Sequence, residues 1–460
     1  MTKAPLIAFY GDDFTGSTDA LECLAAAGLK SVLFVDVPTP EVLARFEGLE
    51  AVGIAGNSRS LTPDEMDGVI PPALEALART GALLLHYKVC STFDSSPTIG
   101  SFGRVMDIAQ RVLGRGTIPI VVGAPKLARY SFFGTLFARH NVDGTVHRID
   151  RHPTMSVHPT TPMREADMRR HIGAQTDQRI ALLAAPAIAR QAEDAAAALD
   201  AALAAEPDAL LMDIVDHDAE AKVGALLERM VERRAPLFVL GSSGVEYALV
   251  AAWRAEGRLP ATPPPMRAEP VERIFVISGS CSPATGAQIA AAIRGGFVDV
   301  ALDPLKLIQD GASGPYATGT IERIVALLND GRSVVAHSST GPSDPREAMV
   351  ADHFARAGSS AEAGRIAGGR ALAAAAGALL DGTLRRVPLD RFVVAGGDTS
   401  TAAVKRLGID ALEMVAPLVP GAPLCRALAP GRDLHGRELV LKGGQMGGPD
   451  FFLHAKAGRA

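Results

Sequence analysis

Short apolar runs that recur between helical patterns constrain the fold of this chain more than any other feature. Most of these runs are continuously apolar rather than alternating, which is typical of strands covered on both faces of a parallel sheet. Because helical patterns separate them, we expect right-handed βαβ units and predict an α/β fold with mostly parallel sheets. The predicted strands lie at residues 6–10, 31–37, 51–55, 82–87, 118–123, 209–215, 236–241, 273–278, 297–302, 333–337, 391–395 and 438–441.

A proline-rich segment divides this pattern. Residues 259–270 read LPATPPPMRAEP, and three consecutive prolines cannot continue a helix or a central strand. At 460 residues the chain is also too long for one ordinary core. We therefore expect two α/β domains, at residues 1–258 and 271–460, with a cleft between them.

Composition and charge exclude several classes of protein. The formal net charge of −5 gives no electrostatic reason to expect nucleic acid as a partner. The four cysteines lie far apart without a Cys-x-x-Cys pair, which argues against a disulfide framework and against a zinc site. The first apolar run is too short for a signal-peptide core, and no run approaches the ~20 residues that span a membrane. A cytoplasmic protein is expected.

The first predicted strand ends in two neighbouring carboxylates, Asp12 and Asp13, within the sequence IAFYGDDFTGSTD. Thr15 and Gly16 turn the chain into a predicted helix. Open α/β sheets bind ligands at the carboxyl ends of their strands. Two adjacent carboxylates there would repel each other, so they usually serve a cation, a substrate hydroxyl or a proton transfer. The alternative is a solvated turn in which an aspartate caps the helix.

Two other strand ends in the first half carry polar side chains. Lys88 is a point cation suited to a carboxylate or a phosphate. After it, hydroxyl and carboxylate groups offer hydrogen bonds to a polyhydroxylated molecule, at Ser91, Thr92, Asp94 and Ser95. Arg59 follows another strand, and it could either clamp a carboxylate through two hydrogen bonds or pair on the surface.

Histidines punctuate residues 147–163, which read HRIDRHPTMSVHPTTPM. The spacing of His147, His152 and His158 fits no compact zinc motif, and the prolines indicate an irregular loop. We therefore favour a loop that faces the substrate over a metal site.

Three predicted strands of the second half end in small residues. The runs are SGSCSP from Ser278, AGGDTS from Ala395 and KGGQMGGP from Lys442. Glycine lets backbone amides approach a ligand, and amides at a helix N-terminus with nearby hydroxyls form a phosphate cradle. Three such ends in one domain favour a nucleotide. The P-loop, the dinucleotide fingerprint and the Gly-x-Ser-x-Gly elbow are all missing from the sequence.

These segments, taken in order, resemble the four-carbon acid sugar kinase family. The matching segments cover nearly the whole chain and are GDDFTG with Asp19, YKVCSTFDS from Tyr87, His158-Pro159 with Thr161-Pro162-Met163, SGSCS from Ser278, GGDTS from Gly396 and KGGQMGGPDFF from Lys442.

The resemblance implies an N-terminal domain that holds an acid sugar, with Asp12 and Asp13 at the sugar, and a C-terminal domain that holds ATP. From the chemistry of phosphoryl transfer we expect one of the two aspartates to act as the base and Mg²⁺ to bridge the phosphates. Lys88 and Arg59 would hold the carboxylate or the transferred charge. The substrate would contact Ser91, Thr92, Asp94 and His158. ATP would contact Ser280 or Ser282, the run of Gly396, Gly397, Asp398 and Thr399, and a glycine among Gly443, Gly444 and Gly447. No residue is assigned to the metal, and a homo-oligomer is left open.

The family implies phosphorylation of a terminal hydroxyl to give a 4-phosphate. Ser91-Thr92-Phe93-Asp94 looks like the 3-oxo-tetronate kinase branch, but Ser96-Pro97-Thr98 stands where that branch has Lys-Gly-Asn. A bulkier or branched acid such as 3-oxo-isoapionate is therefore a candidate beside 3-oxo-tetronate, and D-threonate or D-erythronate is the alternative. Two further alternatives are an aldolase or isomerase with Lys88 as a Schiff-base amine and a sugar-acid sensor without turnover.

Overall fold

A computed structural model describes residues 4–140, 143–158, 160–263, 265–311, 313–356 and 361–459 of the chain. The chain divides into two compact units, Met1–Pro264 and Pro265–Ala460. This division falls inside the proline-rich segment 259–270.

The first unit is built on a parallel sheet whose strands are buried, apart from the half-buried edge strand Ile180–Leu183. Its strands are β1 (Ile7–Gly11), β2 (Ser31–Phe34), β3 (Ala51–Ala55), β4 (Leu84–Lys88), β5 (Ile118–Val121), β9 (Ile180–Leu183), β10 (Ala209–Met212) and β11 (Leu237–Gly241). Their order in the sheet is β2-β3-β1-β4-β11-β5-β10-β9, and every neighbouring pair is parallel.

Helices connect these strands, and several start at side chains that cap their free amides. Asp13 caps the first helix, Thr62 forms a capping box with Glu65, and Asp216 caps the eighth. The helices are α1 (Phe14–Ala26), α2 (Pro40–Leu43), α3 (Pro63–Arg79), α4 (Phe102–Leu113), α5 (Met168–Gly173), α6 (Ala185–Ile188), α7 (Ala192–Ala204), α8 (His217–Arg233) and α9 (Gly244–Ala255).

A small antiparallel sheet, which sequence analysis does not predict, is inserted between β5 and α5. It contains β6 (Arg129–Phe132), β7 (Thr135–Arg139) and β8 (Val146–Arg148). Phe133 and Gly134, with φ of 50° and 77°, form the tight connection between β6 and β7. Its strands lack the continuous apolar runs on which the prediction depends, because they are only partly buried.

The second unit has a mixed sheet in the order β13-β14-β12-β15-β18-β17-β16. Its neighbours are parallel from β13 to β18, and the last two pairings are antiparallel. The strands are β12 (Phe275–Ser278), β13 (Val298–Ala301), β14 (Val334–His337), β15 (Arg391–Ala395), β16 (Ala411–Val419), β17 (Ala422–Leu428) and β18 (Glu438–Lys442). The prediction of an α/β fold with mostly parallel sheets is thus confirmed, while the hairpin β16–β17 is an addition to it.

Within the described residues, seven helices of the second unit connect its strands or follow the last of them. They are α10 (Pro283–Arg294), α11 (Pro304–Asp310), α12 (Pro315–Asn329), α13 (Pro345–Arg356), α14 (Ala361–Leu384), α15 (Gly397–Leu407) and α16 (Phe451–Ala457). Throughout the described ranges of both units, the helices are too short or too polar to cross a bilayer.

Candidate active site

The carboxyl ends of β1, β3 and β4 lie side by side and bring three predicted site segments together. Gly11 at the end of β1 is level with Ala55 of β3 on one side and Lys88 of β4 on the other. The residues that follow β1 and β3 therefore meet Lys88 at one edge of the sheet, which is where an open α/β sheet binds its ligand.

Arg59 joins the two neighbouring aspartates. Its Nε and Nη2 donate to Asp12 Oδ2 and Oδ1 at 3.1 and 2.9 Å, and its Nη1 lies 2.5 Å from Asp13 Oδ2. The planar guanidinium fits this two-point grip on a carboxylate. The positive charge of Arg59 thus offsets the repulsion that is expected between the neighbouring carboxylates of Asp12 and Asp13.

The two aspartates differ in environment. Asp12 is buried, and burial raises its pKa to about 6 although the charge of Arg59 opposes the rise. The Asp13 side chain is 31% exposed, and its Oδ1 accepts a hydrogen bond of 2.5 Å from the Gly16 amide. Asp13 is therefore both the cap of α1 and the carboxylate of the pair that a solute can reach.

Only glycine fits at position 16 beside the side chains of Asp13 and Lys88. A Cβ at this position would lie 2.7 Å from Asp13 Oδ1 and 3.3 Å from Lys88 Nζ. Any larger residue would displace the two charged groups, so the glycine of the GDDFTG segment keeps the space between them open.

Lys88 is buried at the end of β4 and is held in place by oxygen atoms. Its Nζ donates to the carbonyl of Val89 at 3.0 Å and lies 3.6 Å from Asp19 Oδ2, which also accepts a hydrogen bond from Ser243. Burial lowers the pKa of Lys88, but the negative charges of Asp19, Glu246 and Asp12 more than compensate, and the pKa lies above its ordinary value. Lys88 is therefore a fixed positive charge.

The residues after β4 form a second polar group. Thr92 Oγ1 donates to Asp94 Oδ1 at 2.6 Å, and Thr161 Oγ1 lies 3.1 Å from Asp94 Oδ2 and 3.0 Å from His158 Nδ1. Phe93, with a left-handed φ of 55°, turns the chain between Thr92 and Asp94. The structure thus joins His158 to the predicted Thr92–Asp94 segment through Thr161.

The remaining first-unit site residue, Ser91, is half-buried in the same turn. Ser95 in turn contacts the Nε2 of His171 at 2.9 Å, a residue that no pattern in the sequence singles out.

The three small-residue loops of the second unit converge at the carboxyl ends of β12, β15 and β18. A Cβ at Gly279 would lie 2.3 Å from Thr399 Oγ1, and one at Gly396 would lie 3.4 Å from the Ser280 amide. A Cβ at Gly444 would lie 2.8 Å from Ser280 Oγ. The glycines are therefore needed for the close approach of these loops. The amides of Gly279 and Gly396 donate to the carbonyls of Ala395 and Lys442, at 3.0 and 2.9 Å, and hold the loops to the strand ends.

The predicted nucleotide residues occupy these loops as follows. Ser282 caps α10 through a bond from the Ala284 amide, and Gly396 has the left-handed φ of 120° that directs the chain into α15. Thr399 is buried, and Asp398 is exposed. Gly443 and Gly447 are half-buried in the loop after β18.

Lys442 belongs to this site, although sequence analysis assigns it no role. Its buried Nζ donates to Thr285 Oγ1 at 2.9 Å and to the Gly444 carbonyl at 3.3 Å. Thr285 Oγ1 lies 3.1 Å from Ser280 Oγ, which links the lysine to the serine loop. Burial alone lowers the pKa of Lys442 to about 8. The signal in the sequence is its place immediately before two glycines at a strand end.

Comparisons with known proteins agree with a sugar-binding site in the first unit and a nucleotide-binding site in the second. The profile described as a sugar-binding N-terminal domain matches residues 7–249, and that described as a nucleotide-binding C-terminal domain matches residues 275–452. The fold and its two sites therefore define a two-domain sugar kinase.

Similar proteins are known over the full length of the chain. The chain is 46% identical to a 3-oxo-isoapionate kinase of Paraburkholderia graminis, over 99% of this chain and 94% of the relative. It is 33% identical to a 3-oxo-tetronate kinase of Methylobacterium radiotolerans, over 96% and 97% of the two chains. A solved structure of a Salmonella typhimurium protein is 26% identical with a TM-score of 0.75, covering 98% of both chains.

The chain belongs to the four-carbon acid sugar kinase family. The prediction of an ATP-dependent sugar-acid kinase is confirmed at this level.

Proposed function

We propose that this protein transfers the γ-phosphoryl group of ATP to the terminal hydroxyl of 3-oxo-isoapionate, giving a 4-phosphate. The choice of the branched acid is supported by the 46% identity to a kinase of that acid, against 33% to a kinase of 3-oxo-tetronate. Because ATP is the phosphate donor, we place the reaction in the cytoplasm.

The reaction itself is supported by the pair Asp12 and Asp13 with their shared Arg59. Phosphoryl transfer needs positioning and charge neutralisation more than covalent chemistry. In the proposed step the substrate oxygen bonds to the γ-phosphorus, the bond from that phosphorus to the ADP oxygen breaks, and the hydroxyl proton passes to Asp13. Asp13 is the more accessible carboxylate of the pair, which supports its role as the base over that of Asp12.

Arg59 is a positioning residue in this proposal. Three of its nitrogen atoms are already engaged by the two aspartates, so its main task is to fix their carboxylates. Asp12 in turn anchors Arg59 from the buried side. Together they hold Asp13 in one orientation toward the substrate.

Lys88 supplies the fixed positive charge for the acid sugar. Its pKa lies above the ordinary value, so the amine is protonated at neutral pH. A Schiff-base mechanism needs a neutral amine, and this environment therefore disfavours the aldolase alternative. Hydrogen bonds with Thr92, Asp94, Ser91 and His158 would orient the substrate, with Asp94 accepting from its hydroxyl groups.

The second unit would hold ATP. The amides of the glycine loops, the hydroxyls of Ser280, Ser282 and Thr399, and the charge of Lys442 suit a polyphosphate, because Lys442 is a buried cation whose bonds go to neutral oxygens. Mg²⁺, which typically enters such sites with the phosphates and few protein ligands, would neutralise phosphate charge. The exposed carboxylate of Asp398 in the loop after β15 would be a ligand for this ion.

A substrate panel tests the proposal. Full-length protein with ATP and Mg²⁺ is offered 3-oxo-isoapionate, 3-oxo-tetronates, D-threonate and D-erythronate, and ADP release is followed together with the phosphorus NMR spectrum of the product. We expect 3-oxo-isoapionate to have the highest kcat/KM and the product to be a 4-phosphate. Preference for a 3-oxo-tetronate would overturn the choice of acid, and lack of turnover with every acid would overturn the kinase mechanism.

A further inference from the structure

A cluster of three histidines lies on the hairpin of β7 and β8, a part of the first unit that the proposed reaction does not use. His140 directly follows β7, His147 lies within β8, and His152 follows a short 3₁₀ turn. Their ring centroids are 5.2 to 6.2 Å apart, with the rings at steep angles to one another. Imidazoles gathered this closely require a reason beyond packing, since each carries polar nitrogens.

His152 is explained by its hydrogen bonds. Its Nδ1 accepts from the amides of Thr154 and Met155, both at 3.2 Å, and these bonds shape the turn that follows. Its ring is buried, and burial lowers its pKa. His152 therefore has a structural role and is not available as a ligand through this nitrogen.

The other two histidines are different. The Nδ1 of His140 and the Nε2 of His147 are buried atoms without a partner in hydrogen-bond geometry within the described part of the chain. Both point toward one carboxylate oxygen, because Asp143 Oδ2 lies 3.1 Å from His140 Nδ1 and 3.7 Å from His147 Nε2. Two buried ring nitrogens therefore converge on one half-exposed carboxylate oxygen without forming a well-directed hydrogen bond to it.

These distances suit a metal ion. A tetrahedral Zn²⁺ with ligands at about 2.0–2.1 Å has donor atoms about 3.3 Å apart. The three donor atoms lie within 4.8 Å of one another, with the two measured distances on either side of the ideal. We propose that His140, Asp143 and His147 bind a divalent transition metal of the Zn²⁺ class, with the fourth position left to water.

The donor set separates this site from the Mg²⁺ that accompanies ATP. Imidazole selects Zn²⁺, Cu²⁺ or Ni²⁺, whereas Mg²⁺ prefers oxygen ligands. The metal would cross-link the end of β7 to β8. The chain from β8 leads through two 3₁₀ turns, Ile149–Arg151 and Met155–Val157, to His158 of the candidate active site. The ion would therefore stabilise the segment that presents His158, independently of which acid the enzyme phosphorylates.

Metal titration of the full-length protein without an affinity tag tests this site. Protein freed of metal by chelation is titrated with ZnCl₂ by calorimetry, and with CoCl₂ while the visible absorption of tetrahedral Co²⁺ is recorded. We expect one equivalent to bind. His147→Ala and Asp143→Asn should each weaken binding at least about 10-fold, since a lost ligand costs no less than a lost second-shell partner.

The control is His217→Ala. His217 Nδ1 lies 2.7 Å from Glu220 Oε2 three residues along α8, so it forms a similar histidine–carboxylate pair, and among the described residues no third donor lies close enough to complete a metal site there. This variant should bind Zn²⁺ like the unaltered protein. Asp143 is half-exposed, so Asp143→Asn keeps the proposal testable if His147→Ala does not fold. The proposal is overturned if the unaltered protein binds no Zn²⁺ at micromolar concentration, or if Asp143→Asn binds it equally well.

Discussion

The guanidinium of Arg59 holds both carboxylate oxygens of Asp12, with Nε–Oδ2 and Nη2–Oδ1 distances of 3.1 and 2.9 Å. Forty-seven residues separate the two in the chain, and the parallel pairing of β1 with β3 brings them together. The remaining Nη1 of Arg59 lies against Asp13. The relationship divides the aspartate pair into one residue that anchors the arginine and one that faces outward.

We expect Asp13→Asn to lower kcat at least about 100-fold, because a positioned general base contributes roughly 10²–10⁴-fold to rate. Asparagine caps a helix about as well as aspartate, so α1 should keep its start and the protein its fold. Steady-state kinetics with the preferred acid, together with ATP binding by calorimetry, measure the effect.

Asp216→Asn is the matched control for this change. Asp216 caps α8 by accepting from the Ala219 amide at 2.8 Å, so the substitution has the same local cost in the same unit. Its kcat should match that of the unaltered enzyme. Equal activity of Asp13→Asn and the unaltered enzyme would refute the role of Asp13 as the base.

The burial of Asp12 predicts how stability depends on pH. Burial raises the pKa of Asp12 from 3.8 to about 6, so between these values the folded protein binds a proton that the unfolded chain does not. The free energy of unfolding therefore falls as pH rises through this window, by up to about 3 kcal/mol from this group. Urea unfolding at pH 4 and pH 6.5 should show a smaller fall in Asp12→Asn. The same fall in both proteins would mean that Asp12 titrates normally.

The sequence predicts the parallel strands, the acidic strand end of the first unit and the glycine-rich strand ends of the second. Continuous apolar runs and the glycines that follow them are local signals, so they can be recognised without the structure. It identifies Asp12, Asp13, Arg59 and Lys88, each from its own segment, as candidate site residues. It does not predict that Arg59 turns inward to the aspartates, since that depends on the order of β1 and β3 in the sheet.

Three features lie beyond sequence reasoning for related reasons. The hairpin of β7 and β8 is half-exposed and short, so its pattern is weak. The spacing of histidines in residues 147–163 groups His147 with His152, whose rings do lie 5.9 Å apart, but it leaves out His140, which precedes that segment. Lys442 reads as an ordinary end of a strand until Thr285, 157 residues away, is placed beside it.

The buried charge of Lys442 predicts proton uptake on nucleotide binding. Its pKa of about 8 leaves it partly neutral near pH 8, and nearby phosphates would raise that pKa. Calorimetry at pH 8 in buffers of different ionisation enthalpy should therefore show ATP binding with uptake of a proton fraction. In Lys442→Met we expect the uptake to vanish and ATP affinity to fall about 10- to 100-fold, as for the loss of a charged hydrogen bond.

Lys456→Met is the comparison for that experiment. Lys456 lies in the same unit, with its Nζ 5.9 Å from the centroid of the Phe297 ring. ATP affinity and proton uptake should both be unchanged in this variant. If Lys442→Met also retains both, the lysine serves the packing of β18 and not the nucleotide.

The hydrogen bonds around Asp94 predict a separate effect on the acid sugar. Thr161 Oγ1 connects Asp94 to His158, so Thr161→Val breaks that connection while it keeps the shape of the side chain. We expect KM for the acid sugar to rise about 10-fold, as for the loss of one hydrogen-bonding contact of about 1.5 kcal/mol, with KM for ATP unchanged. Thr176→Val, which removes a 3.2 Å bond to Asp107 in the same unit, controls for the general cost of a lost threonine–aspartate bond. If KM for the acid sugar rises equally in both variants, or in neither, the group formed by Thr92, Asp94, His158 and Thr161 does not bind the substrate.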